Sequence, residues 1–199
     1  MSEQYQQTPY VNTNAWSTRQ LVTMALMCAL SAVFQFIQIP IIPGVTFLTY
    51  DPSLVPAMVC GFAFGPAAGI VVGTIASVIH GLVLGEWVGS LMNIVATMCY
   101  VLPAALIYRK SHTFGGAIAG LVVSCIAATL GALASNLTIG VWFWYGSVDV
   151  ILPMLLPAIV PFNLVKTMLN SVLACVVYKS ISNLITPRKQ RVSGGHDAR

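Results

Sequence analysis

Apolar residues are gathered into long runs separated by short polar breaks. About 20 such residues, rising ~1.5 Å each as a helix, cross a hydrocarbon core of ~30 Å, so the runs read as membrane helices. The first spans residues 21–38 and ends at "IPIIPG", where prolines and a glycine stop a helix. From Leu54 to Leu84 the chain stays apolar for longer than one crossing needs. The break falls at "FGPAAG", which divides the run into a short helix over 54–64 and another from Pro66 to Leu84, with Pro66 suited to a first helical turn. Further helices are expected over 88–108, 114–139 and 161–181. The second is the anomaly, since residues 54–64 cover only about 16 Å. It must be extended by its flanks, thin the bilayer, or pack inside protein. Between 142 and 161, "WFWYG" reads as an interfacial aromatic patch, and prolines at 153, 157 and 161 disfavour a regular helix. A bent connection with a turn or two of helix is expected there.

Composition places these runs in a lipid environment. The 199 residues are 57% hydrophobic and only 7% charged, with mean hydropathy +0.85. A soluble domain carries about 25% charged residues to cover its surface. The expectation is an all-α membrane protein with six transmembrane helices in one domain over 18–182, a polar tail at 1–17 and a basic tail at 183–199. No basic start of a secretory signal opens the polar tail. The net charge of +4 comes mostly from the last residues, where "TPRKQR" suits anionic lipid. Nothing in it reads as a nucleic-acid motif. If 54–84 crosses twice, Arg19, Arg109, Lys110, Lys179, Arg188, Lys189 and Arg191 share one side, which the positive-inside rule makes cytoplasmic for both termini.

Candidate chemistry is sparse. Lys166 is the only Lys or Arg in the interior of an expected span, Lys179 falling at the cytoplasmic end of the last one; an ammonium there costs roughly 2.5–3.5 kcal/mol unless it is paired, snorkelled or functional. A ligand site, snorkelling to headgroups and a structural pair all account for it at this stage. Asn93, Asn136 and Asn163 fall at similar heights and form, with Lys166, a possible polar cavity in the outer half. Each amide is equally able to bond a neighbouring helix, the better reading for the deeper Asn170. Phe47, Tyr50, Trp142 and Trp144 are candidate caps for a flat, partly polar solute. Asp51, before Pro52, is expected to cap the second helix and position a gate, with ligand contact secondary. Ala25, Ala29 and Ala32 share a narrow face of the first helix, for internal packing or for a separate subunit. Glycines 61, 65, 69 and 73 read as close-packing positions. The five cysteines read as buried apolar residues, and His80 and His112 sit in no metal motif, so neither a metal site nor an enzyme is expected.

"YDPSLVPAMVCGFAFGPAAGIVVG", "MN" at 92 and 93, "VLPAALIYRK" and "PFNLVK" resemble the membrane-embedded substrate-binding (S) components of energy-coupling-factor (ECF) vitamin transporters, nearest the riboflavin-specific branch. The likeness covers about residues 20–182. It implies a six-helix bundle in a prokaryotic cell membrane, with a gate over residues 47–51 that includes Thr49, Tyr50 and Asp51. Lys166 and Asn136 match residues that contact the isoalloxazine ring in that branch. Ala25 and Ala29 match the small-residue motif that packs on a transmembrane coupling subunit, itself joined to two cytoplasmic ATPases. Riboflavin is the expected ligand, as cargo and not as cofactor. Another vitamin or heterocyclic precursor is the alternative, ahead of a secondary transporter or a structural membrane protein.

Overall fold

The computed structural model describes residues 16–43, 45 and 48–185. Most of both expected tails, with Arg188, Lys189 and Arg191, lies outside that range. Helix α1 (Thr18–Gln35) starts at Ser17, whose hydroxyl accepts from the Gln20 amide while the Gln20 side chain accepts from the Ser17 amide. This reciprocal pair satisfies two donors that a helix start otherwise leaves open. Strands β1 (Ile39–Pro40) and β2 (Thr49–Tyr50) follow and pair antiparallel, Ile39 opposite Tyr50.

Helix α2 (Leu54–Phe64) accounts for its own shortness. Every residue from Leu54 to Phe62 is buried, and the helix packs on α1, α4 (Trp87–Ser111) and α7 (Val160–Ile185) as well as on α3 (Pro66–Leu84). A helix apolar on all faces belongs inside a protein, and α2 therefore needs neither a full crossing nor a thinned bilayer. Its backbone lies close to its neighbours because the contact positions are glycine. A Cβ on Gly69 would lie 2.5 Å from the Ala57 carbonyl oxygen and 2.9 Å from the Gly61 Cα, and one on Gly73 would lie 2.5 Å from Thr97. Gly65 does something else. At φ +95° it makes the corner between α2 and α3, a conformation that side chains rarely adopt.

Four helical stretches are long and apolar enough to cross a membrane among the described residues: Pro66–Leu84, Trp87–Ser111, Phe114–Tyr145 and Val148–Tyr178. α1 adds 18 residues with Leu21, Val22, Leu26, Leu30 and Val33 exposed, a lipid-facing surface in such a bundle. The architecture is an all-α multi-span membrane fold. The bundle's two ends differ. One carries the β-hairpin, Glu86 and Lys166, while Arg109 and Lys110 close α4 at the other.

The segment between the last two crossings differs from the expected bent loop. Helix α5 (Phe114–Ser135) runs on without interruption into a π-helical stretch, Asn136–Tyr145. Gly146 turns the chain at φ +70°, α6 (Val148–Met154) follows, and a second π-helical stretch, Leu155–Ile159, leads into α7. The fifth helical path thus continues past Ile139, and the last begins before Pro161. Proline has no N–H to donate and crowds the preceding turn. Widening that turn to the π spacing keeps the path helical through Pro157, so the prolines change the helix type here instead of ending it.

Adding a methyl at Gly69 must push α3 away from backbone atoms that have nowhere to go. Gly69→Ala is expected to destabilise the purified protein by about 1–3 kcal/mol. Gly115→Ala, whose Cβ meets nothing within 4 Å, is expected to be neutral. Thermal unfolding in detergent distinguishes the two.

Candidate functional site

Lys166 lies in the first turns of α7, and its stem is long enough to carry the ammonium back toward the hairpin. The ammonium does not snorkel. Its Nζ donates to the Asp51 Oδ2 at 2.7 Å, and both side chains are buried. The Phe162 ring lies 6.0 Å from the same nitrogen. Asp51 is tied down on every side. Its Oδ1 accepts from the Ser53 amide at 3.1 Å and from the Ser53 hydroxyl, and its backbone carbonyl accepts from the Asn170 amide at 3.3 Å. Ser31 on α1 donates to the Ser53 carbonyl at 2.7 Å. The expectation that Asp51 caps α2 is corrected. Ser53 holds the cap position without a side-chain cap bond, and Asp51 spends its oxygens on Ser53 and on Lys166. A carboxylate beside a buried ammonium is worth far more there than at an exposed helix start.

This pair forms one wall of a cavity of about 170 Å³ at the hairpin end of the bundle. Asn93, Asn136, Asn163, Thr49, Asp51 and Lys166 all line it, as does Trp144. Two of the amides are oriented by their own helices. Asn136 Nδ2 donates to the Ala132 carbonyl at 2.9 Å and Asn163 Nδ2 to the Ile159 carbonyl at 2.8 Å. Each is thereby held with its amide oxygen left as an acceptor. The wall therefore offers one cationic donor and two carbonyl acceptors.

Other expected residues fall elsewhere. Tyr50 pairs in β2 beside the cavity without lining it. Its phenol is raised above its ordinary value by burial and then by the Asp51 carboxylate, which keeps it a neutral hydroxyl. Trp142 is 86% exposed and does not line the cavity. Phe47 lies outside the described residues. On α1, Ala25 and Ala29 are exposed whereas Ala32 is buried at 6%, so Ala32 is already covered within this chain and leaves the outward small-residue face to the other two. Other lining residues were missed from the sequence. Gln35, Gln38, His80 and Glu86 also line the cavity, and the usable signal was a pair of glutamines three residues apart at the end of a membrane helix.

The profile of the family described as "ECF transporter, substrate-specific component" matches residues 19–178. This chain belongs to that family. Among its relatives, the riboflavin transporter RibU of Staphylococcus aureus is 28% identical over 179 residues, covering 86% of this chain and 95% of that protein. The riboflavin transporter FmnP of Bacillus subtilis is 27% identical over 172 residues, covering 80% and 90%. A solved structure of the S component of a bacterial ECF transporter superposes with a TM-score of 0.74 at 27% identity, over 85% of this chain and 98% of that one. The structure of ThiT from Listeria monocytogenes superposes with a TM-score of 0.61 at 13% identity, over 85% of this chain and 98% of that one, a likeness of fold alone. The chain is thus a multi-pass membrane S component that serves transport of a small vitamin-like substrate, not an enzyme. Membership of an ECF transporter implies associated transmembrane and ATPase components.

Removing one partner of a buried ion pair strands the other. Lys166→Met is expected to cost about 3–5 kcal/mol, whereas Lys166→Met with Asp51→Asn is expected to regain most of that loss. Melting temperatures of the parent, both single variants and the double variant test the coupling, and strictly additive losses would refute it.

Proposed function

We propose that this S component binds riboflavin in the cavity beside Lys166 and hands it to its transporter partners. The observation that carries the reading is the convergence of Lys166, Asn136 and Asn163 on one cavity. The pyrimidine edge of a flavin presents carbonyl, N–H and carbonyl in sequence. An ammonium facing one carbonyl and an amide oxygen facing the N–H answer two of those three groups, and such buried polar groups discriminate strongly against ligands that leave them unpaired. Phe162 and Trp144, which line the same space, offer apolar surface to the rings. The names of the relatives point the same way, since both curated proteins described above are riboflavin transporters.

By the positive-inside rule, Arg19, Arg109 and Lys110 face the cytoplasm, so the cavity opens to the outside and the loop through Thr49, Tyr50 and Asp51 covers it. Ala25 and Ala29 present exposed small side chains on α1, a surface on which the helix of a coupling subunit packs closely. Two ATPase subunits complete the importer and supply the energy.

Purified protein is expected to quench riboflavin fluorescence at one site per chain, and Asn136→Ala to weaken binding by about tenfold or more, the cost of roughly one buried charge-assisted or unmatched hydrogen bond. Uptake into vesicles is expected only with the partner subunits and ATP. Full uptake by this chain alone would refute the component role, and unaltered binding by Asn136→Ala would remove that residue from the site.

A further inference from the structure

Away from the Lys166–Asp51 pair, the cavity lining carries polar groups that the protein leaves unanswered. Gln35 is 3% exposed, and neither its amide oxygen nor its nitrogen has a hydrogen-bond partner among the described residues. His80 is 4% exposed, with Nδ1 likewise unpartnered. Its Nε2 lies 3.4 Å from the Gln38 Nε2, and its ring leans on Phe36 at 5.2 Å between centroids. With the Gln38 amide as donor to Nε2, the imidazole carries its proton on Nδ1 and has a donor to give. All three side chains line the cavity. Leaving such groups bare in an apolar interior costs on the order of 1–3 kcal/mol each, so a protein that keeps them has an occupant to meet them.

The chemistry of that occupant follows from what is exposed to it. An amide offers a donor and an acceptor side by side, and the imidazole adds another donor. The group that answers both kinds at once is a hydroxyl. An anion is a poor fit. Lys166 is the one Lys or Arg among the lining residues and is already paired with Asp51, while Glu86 at the rim adds negative charge. We infer that Gln35, Gln38 and His80 form a subsite for a flexible polyhydroxylated arm of the ligand, apart from the residues that hold its ring system. This inference rests on the flavin reading, in which the ribityl chain is that arm.

The test measures the preference of the full-length detergent-solubilised chain for riboflavin over lumiflavin, which has the same ring system with a methyl group in place of the ribityl chain. The parent is expected to prefer riboflavin by about tenfold or more, as for two hydrogen bonds at roughly 1 kcal/mol each. Gln35→Leu, and independently His80→Phe, are expected to reduce that preference to about threefold or less. Residual lumiflavin binding by each variant reports that its cavity is folded. A parent that binds both flavins alike, or variants that keep the parent's preference, would overturn the subsite and leave the flavin reading standing. Loss of both flavins in both variants would assign these residues to folding and overturn it too. A parent that binds neither flavin would overturn the flavin reading and the subsite with it.

Discussion

The ion pair between Lys166 and Asp51 is the constraint around which the hairpin end is organised. An ammonium buried in a membrane bundle is tolerable only if an opposite charge meets it at close range and further hydrogen bonds hold that charge in place. Asp51 comes from the loop before α2, and α7 lies far away along the chain. Their 2.7 Å contact therefore ties the covering loop to the last helix. Ser53 and Asn170 complete the oxygens of Asp51, and Ser31 extends the network to α1. The network thereby joins α1, the loop before α2 and α7 at one wall of the cavity. The pair adds no net charge to that wall, which suits a neutral ligand that makes many hydrogen bonds better than one that brings a charge.

The short helix α2 supplies the other half of this arrangement. Because it is apolar on every side and closed in by α1, α3, α4 and α7, it acts as a central post and not as a wall against lipid. Glycines 61, 69 and 73 let α3 and α4 approach it at backbone distance. The Asp51 loop grows directly from its first turn. That loop is thus anchored at one end to a deeply packed element of the fold.

Much of this was legible in the sequence because membrane burial is written in runs of residues. The boundaries of α2 and α3 follow from a single glycine-proline break, and Pro66 begins its helix as its missing N–H predicts. Lys166 stood out because it was the sole Lys or Arg in the interior of a span, and Asn93, Asn136 and Asn163 because amides are scarce there. What was not legible depended on partners distant in sequence. Asp51 looked like a cap for the helix beside it, since nothing local identifies an ammonium more than a hundred positions away as its partner. His80 was set aside for want of a metal motif, although its relevance lies in facing Gln38 across the bundle. Ala32 shares a helical face with Ala25 and Ala29, yet tertiary packing covers it alone. The proline spacing over 153–161 was read as a broken helix, because the pattern of apolar residues carries no sign of a π register.

That π register bears on the site itself. Asn136 opens one π-helical stretch and Asn163 lies one turn beyond the other. Both side-chain amides bond backward onto their own helical path: Asn136 Nδ2 donates to the Ala132 carbonyl, which also accepts the Asn136 backbone N–H, and Asn163 Nδ2 donates to the Ile159 carbonyl. A back-bond of this kind fixes the direction of the amide oxygen. Each cavity acceptor is therefore oriented by the element that carries it and needs no second helix to hold it.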